Sequence, residues 1–217
     1  MLTPRHNVSV AATPAENPDA WFEIPDLTGR LVRLVPLGLE HTEGYLAAAN
    51  PGEEVFEFTG AYRTIDTFAQ ARTDIATALA ARERGERLPF AQLDATTGQV
   101  IGTTSFYEVN PAARAIAIGH TWLGRRWWRT GHNTESKLLL LTHCFQSLGA
   151  ARVVWHTDIR NVRSQAAITR LGATREGILR KHRIRRDGTW RDTVQYSMTD
   201  DDWPPARERL RNSLAHH

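Results

Sequence analysis

The sequence predicts a single α/β domain with a mixed, mostly antiparallel sheet flanked by helices. Three observations predict it. Strand-like and helix-like segments alternate along 217 residues without an internal repeat. Residues 88–123 hold three strand-like runs separated by turn signals, the mark of an antiparallel meander. The last of these runs passes through a leucine-rich helix into a further strand. Such a crossover favours parallel pairing and leaves a loop at a strand's C-terminal end, where open α/β sheets bind ligands.

The elements follow in order. Residues 1–20, rich in Pro, Ala and polar side chains, read as a flexible arm ahead of a domain at 21–200. In "GRLVRLVPL" (29–37), Leu31, Arg33 and Val35 alternate with Val32 and Leu34, giving a strand ended by Pro36. "EHTEGYLAAAN" (40–50) is a short helix stopped before Pro51. From 64 to 84, Phe68, Ile75 and Leu79 recur at helical spacing, and Gly85 is the stop. "LPFAQLD" and "QVIGTTSFYEV" are strands joined by "ATTG", and Asn110 and Pro111 turn the chain into a third strand at 114–123. A helix at about 133–148 sets Leu138, Leu141, Phe145 and Leu148 on one face. "GAARVVWHTDI" becomes a strand, and "NVRSQAAITRLGA" is a helix stopped by Gly172. "TREGILRKHRI" and "WRDTVQYSMT" are strands around "RRDGT", whose Asp-Gly pair favours a hairpin turn. A short helix at about 200–214 occupies the tail, 201–217; the closing "AHH" is assigned no role.

Bulk properties narrow the function. Hydrophobic content of 41% supports a real core, and no apolar run approaches the ~20 residues of a membrane span. The lone Cys144 sits among apolar residues of a helix, which reads as a buried filler and excludes both an intramolecular disulfide and a cysteine-rich zinc site. A cytoplasmic setting and no metal are expected. Net charge is only +3, but residues 152–192 carry +7 and the remainder −4. That local field suggests an anionic partner, a phosphorylated cofactor or a nucleic acid.

"RTGHNTES" (129–136) opens the leucine-rich helix. Two readings compete. In one, Gly131 bends the chain and Asn133 or Thr134 caps the helix. In the other, the helix's unpaired N–H groups and partial positive charge receive a phosphate, with Arg125, Arg126 and Arg129 crowding the same loop. Neither a Walker loop nor a dinucleotide-binding fingerprint is present.

These segments resemble the GNAT N-acetyltransferase superfamily, in its branch of ribosomal-protein N-terminal acetyltransferases. The carriers are "LTGRLVRLVPL", "IGHTWLGRRWWRTGHNTESKLLLLTHCFQSLGAARVVWHTD", "NVRSQAAITRLGATREGILR" and "DGTWRDTVQYSM", together covering about residues 28–200. The resemblance implies a single GNAT-like domain with a splayed parallel strand pair at the cofactor site. It implies acetyl-CoA as cosubstrate, with its pyrophosphate on residues 129–134: Arg129, Thr130, Gly131, His132, Asn133 and Thr134. The family's Q/R-x-x-G-x-G/A pattern falls on Trp128, Gly131 and Asn133, and departs at the first and last of these. Backbone cradling survives such changes because it uses amides. Arg163 and Arg170 are candidates for the 3′-phosphate of CoA, or else part of a solvated helix face.

The implied reaction is direct acyl transfer from a thioester to a neutral amine. A backbone N–H near Trp122 or Leu123 would steady the oxyanion. Asn161 and Ser164 match the family's N-x-x-S, Asn161 bonding the pantetheine and Ser164 lying near the sulfur. The tyrosine that many relatives use as acid falls on Ile168. For the base, His120 is preferred over Glu108, His156 and Asp158, since an imidazole titrates near neutrality. The expected partner is an amine acceptor: a protein N-terminus, an amino acid or a small amine. A homodimer is left open, and nucleic acid is disfavoured. The alternatives are a catalytically weak CoA-binding module and a ribosome- or RNA-associated protein using the basic 180–191 hairpin.

Overall fold

The computed structural model describes residues 17–49, 53–58 and 64–215, with the backbone alone at 53 and 54. Eight strands form one sheet: β1 (Leu27–Thr28), β2 (Val32–Pro36), β3 (Arg87–Asp94), β4 (Val100–Asn110), β5 (Ala115–Leu123), β6 (Arg152–Asp158), β7 (Thr174–Ile184) and β8 (Trp190–Thr199). Their spatial order is β1-β2-β3-β4-β5-β6-β8-β7. Each neighbouring pair is antiparallel except β5 and β6. The meander and the parallel crossover stand as the sequence predicts.

Helices cover both faces. α1 (Thr42–Ala49) and α3 (Phe68–Glu83) lie over one, where Val35, Tyr45, Ile75, Ala91 and Trp122 form a core. α2 (Glu53–Phe56) adds Val55 and Phe56 to the same cluster. α4 (His132–Thr142) and α6 (Trp203–Leu214) cover the other face, over Val32, Leu34, Phe90 and Ile116. α5 (Val162–Leu171) packs Ile168 and Leu171 into that second core.

Local chemistry explains the ends. Thr67 and Gln70 close a capping box on α3, each side chain accepting from the other's amide. Its buried stripe is Ala71, Ile75 and Ala78, while Phe68, expected to face inward, is 47% exposed. The inward positions fall to two alanines and an isoleucine, and Phe68, in the first turn, lies outside that stripe. α4 runs on into a π-helical turn, His143–Ser147, where Leu148 N–H reaches back to His143 O. Cys144 is buried there and burial pushes its thiol up, as suits a filler. α5 ends at Gly172, whose φ of +96° is left-handed.

Several expected boundaries shift. Residues 1–16 of the expected arm lie outside the described residues, as do Asn50 and the closing His216 and His217. Asp19–Phe22 form a helical turn that plants Trp21 in the core, so ordered structure begins before residue 21. The tail helix is no appendage. It buries Trp203, Ala206, Leu210 and Leu214, and Trp203 stacks on Phe145 at 5.4 Å.

Candidate active site

β5 and β6 pair over three residues only, Ala115–Ala117 against Arg152–Val154. Beyond them β5 keeps to β4 as far as Leu123, and β6 keeps to β8 as far as Asp158. Each strand follows its antiparallel partner, so the two part. Between them lies a cleft of about 1240 Å³ lined by residues 118–123 of β5 and 155–158 of β6. β5's outward-facing peptide groups lose their strand partner there, leaving main-chain donors and acceptors for an extended guest.

One end of the cleft is the mouth of α4. Gly131 is the N-cap, with φ −68° and ψ −14°, and no side chain caps the helix. Neither Asn133 nor Thr134 does so, contrary to the simpler expectation, because both already lie inside the helix. The first intrahelical bond runs from Glu135 N–H to Gly131 O, so the amides of His132, Asn133 and Thr134 have no backbone partner among the described residues. Gly131 serves here by lacking a side chain; the left-handed residue is Arg129, at φ 60°. His132 turns inward, its Nε2 3.2 Å from Asp94 Oδ2 and its Nδ1 2.9 Å from Thr130 Oγ1. Thr130 also donates to Trp127 O at 2.7 Å. These side chains lock the mouth to the end of β3 and leave the helix amides, with Arg129 and Asn133 beside them, for a guest.

The mouth has a carboxylate anchor as well. Glu135 is buried and accepts from the amides of Arg30, Leu31 and Val32 at 3.0, 2.6 and 2.8 Å. That clamp ties the first turn of α4 to the β1–β2 turn. Arg129, Asn133, Asn161, Ser164 and Arg170 line the cleft, and Thr130, Gly131, His132 and Thr134 are not among its lining residues. Asn161 caps α5, its Oδ1 accepting from Ser164 N–H at 2.9 Å. Arg163 stacks over the Trp128 ring at 4.0 Å. Trp122 and Leu123 sit in the wall, where their carbonyls accept from Gln92 and from the Trp128 indole.

The other end is made by bulges. The β4–β5 register shifts between Thr103/Trp122 and Ser105/Gly119, and His120 bulges at φ 49°. Glu108 and Lys181 take φ 49° at two further register shifts, in β4 and β7. His120 is exposed to the cleft, with Tyr107 edge-on at 5.4 Å. Lost solvation, then the charges of Arg87, Arg183 and Arg191, push its pKa down to about 3. The imidazole is therefore neutral at pH 7.

Next to it a hydrogen-bonded chain has a fixed direction. Arg152 and its neighbours Gln195 and Ser197 pull Glu176 down to about 2, so this carboxylate can only accept. It takes Gln195 Nε2 at 2.9 Å. Gln195 Oε1 must then accept from His156 Nε2, 3.2 Å away. His156 Nδ1 is left to accept from the Tyr107 hydroxyl at 3.0 Å. Burial, then Glu108, pushes the Tyr107 hydroxyl up to about 12. Beneath this chain, Lys137 is buried and donates to Thr104 and Thr121 at 3.0 and 2.7 Å; burial pushes it down to about 7. Ile168 is buried in the cleft wall, and Ser164 is the hydroxyl that α5 presents to the cleft.

The geometry thus brings together His120, Trp122, Leu123, Asn161 and Ser164, and adds Arg87, Tyr107, Lys137, Arg183 and Arg191, which the sequence alone did not single out. Tyr107 had one available signal, its place next to Glu108 on a strand running into the cleft. Arg87 and Lys137 had none, since a strand arginine and a helix lysine read as surface residues. Asp158 is occupied by Arg185, at 2.7 and 2.9 Å, which leaves it a poor base. Among the described residues no group of three His, Cys, Asp or Glu could hold a metal, and no helix is long and apolar enough to cross a membrane.

A mixed sheet whose parallel pair parts beside an uncapped helix mouth defines a class of α/β domain with an extended cleft for a phosphate-bearing guest. The sequence profile of the acetyltransferase (GNAT) domain family matches residues 31–174, and the chain belongs to that family. Acetyl-CoA is the family's cosubstrate. The ribosomal protein uS5-alanine N-acetyltransferase of Escherichia coli (strain K12) is 26% identical over 126 residues, 58% of this chain. That match spans 64% of the relative's length, less than two thirds. The uncharacterized N-acetyltransferase YoaA of Bacillus subtilis (strain 168) is 30% identical over 150 residues, 67% of this chain and 81% of that one. A GCN5-related N-acetyltransferase from Brucella melitensis superposes with a TM-score of 0.84 at 29% identity, covering 94% of this chain and 89% of that one.

Proposed function

We propose that the chain is an acetyl-CoA-dependent N-acetyltransferase that moves an acetyl group directly to a primary amine. The observation that carries this reading is the parting of β5 and β6 beside the mouth of α4, whose first three amides have no backbone partner among the described residues. A diphosphate seated on those amides directs an extended thioester arm along β5 toward His120. Arg129, Arg163 and Arg170 supply cations on the same side.

The amine lone pair attacks the thioester carbonyl, and an amide of Trp122 or Leu123 steadies the oxyanion. Neutral His120 accepts a hydrogen bond from the attacking nitrogen and takes its proton as the C–N bond forms. The tetrahedral intermediate collapses, the C–S bond breaks, and the thiolate leaves toward Ser164, whose hydroxyl donates to it. The Tyr107–His156 pair beside His120 gives the proton a way out of the cleft. The relative named for a ribosomal alanine makes a protein N-terminus one acceptor class; amino acids and small amines are the others. A single buried thiol and dependence on acetyl-CoA fit a cytoplasmic protein.

The weak basicity of His120, with the departures at Trp128 and Asn133, favours a second reading: a CoA-binding module without turnover. Calorimetry with acetyl-CoA, paired with thiol release across an amine panel, separates the two. Binding with turnover supports the enzyme, binding without any turnover supports the module, and no binding removes both.

A further inference from the structure

Three guanidiniums stand round His120 at the end of the cleft away from α4. Arg87 comes from β3, Arg183 from β7 and Arg191 from β8, and all three line the cleft. Arg183 and Arg191 are direct cross-strand partners in the β7–β8 ladder, where like charges repel. Little on the protein offsets them. Arg183 is 3.8 Å from the half-exposed Glu108, and Arg191 is 4.0 Å from an Asp158 already bound twice by Arg185. The Nε of Arg191 is buried without a hydrogen-bond partner among the described residues. Arg87 is fixed at Nε by Ser105 at 2.7 Å, and its nearest acid, Asp74, holds the Tyr45 hydroxyl. A half-buried cluster of one sign, with an unused donor, is costly unless a guest of the opposite sign completes it.

We propose that Arg87, Arg183 and Arg191 receive an oxyanion carried by a small acetyl acceptor, a carboxylate or a phosphate next to its primary amine. This rests on the N-acetyltransferase reading and names its substrate class. Guanidiniums are suited to both groups, because their planar forks match paired oxygens. With the oxyanion there, the amine lies by His120. The guest's charge offsets part of the field of the three guanidiniums, which adds to lost solvation in holding the imidazole neutral. Glu108, Tyr107 and His156 are the other titratable neighbours on the strands around it.

Thiol release from acetyl-CoA tests this with matched amines: amino acids against their amides, O-phosphoethanolamine against ethanolamine, and an uncharged N-terminal peptide amide. The expected result is a kcat/KM at least about 10-fold higher for one oxyanion-bearing series, a carboxylate or a phosphate according to which pair separates. Arg191→Gln, and the exposed and fold-safe Arg183→Gln, each lower that ratio about 10-fold with acetyl-CoA KM unchanged. Uncharged amines or the peptide turning over equally well overturn the proposal. So does acetyl-CoA binding with no oxyanion-bearing amine turned over, which leaves the cosubstrate site standing. Failure to bind acetyl-CoA instead removes the functional reading, and this inference with it.

Discussion

At the α4 mouth the groups open to a guest are main-chain amides, held in place by side chains that turn away: His132 toward Asp94, and Glu135 into the β1–β2 turn. At the opposite end they are side chains, thrown forward by bulges at Glu108, His120 and Lys181 and crowded by arginines from three strands. The difference teaches what each end can tolerate. Amides are the same in every sequence, so Trp128 and Asn133 can depart from the family pattern without dismantling the mouth. A pocket of side chains changes character with each substitution, and it is there that acceptor choice is set.

The largest expected effect falls at the side-chain end. His120→Ala lowers turnover by about 10²-fold or more, the usual weight of a positioned acid–base group, while acetyl-CoA affinity holds. Single-turnover kinetics beside calorimetry check it. Unchanged turnover strikes His120 from the mechanism and leaves Tyr107–His156 as the way out for the proton.

Lys137, under the floor between the two ends, tests whether the floor is charged. Its ammonium ordinarily holds its proton to about 10.5, but burial brings that to about 7. Between those values the unfolded chain binds a proton that the folded one has released, so stability rises with pH across that window. Below about 7 both states are charged and the full cost of burial is present. Lys137→Met therefore gains stability at pH 6, and its advantage over the native chain shrinks by about 4 kcal/mol by pH 10. Urea titrations of both proteins at the two pH values measure it. Parallel stabilities would make Lys137 an ordinary charged residue and the floor a third cationic surface.

Asn133→Asp sharpens the contrast from the amide side. A carboxylate in the first turn of α4 favours the helix by about 0.3–1 kcal/mol, so thermal stability holds or rises. The same carboxylate competes for the open amides and repels a diphosphate, weakening acetyl-CoA by about 10-fold or more. A tighter fold with looser binding is the signature. Unaltered affinity would place the diphosphate elsewhere.

What the sequence revealed divides along the same line. The sheet's meander, the crossover and Gly131 before a helix were legible because strand period, turn residues and a helix start are local signals. Phe68 was misjudged for the same reason: periodicity finds a helix but does not choose between a phenylalanine and two alanines for the buried face. The caps at Asn133 and Thr134 failed because the N-cap falls two or three residues earlier, at Gly131. Arg87, Tyr107 and Arg191 are 20 to 104 positions apart, and only the pairing of β3, β4 and β8 with their neighbours gathers them. No spacing rule joins residues across five strands.

The smallest effect is the most discriminating. Arg163 stacks on Trp128 at 4.0 Å, at the edge of the mouth, where it can hold the ring, meet the 3′-phosphate of CoA, or do both. An exposed cation facing one phosphate contributes about 0.5–1 kcal/mol, so Arg163→Ala costs acetyl-CoA about three- to five-fold in affinity at low salt, and less at high salt. Dephospho-CoA, which lacks that phosphate, should bind both proteins alike. If it loses as much as CoA does, Arg163 acts by packing Trp128, and the amide-built end depends on a side chain after all.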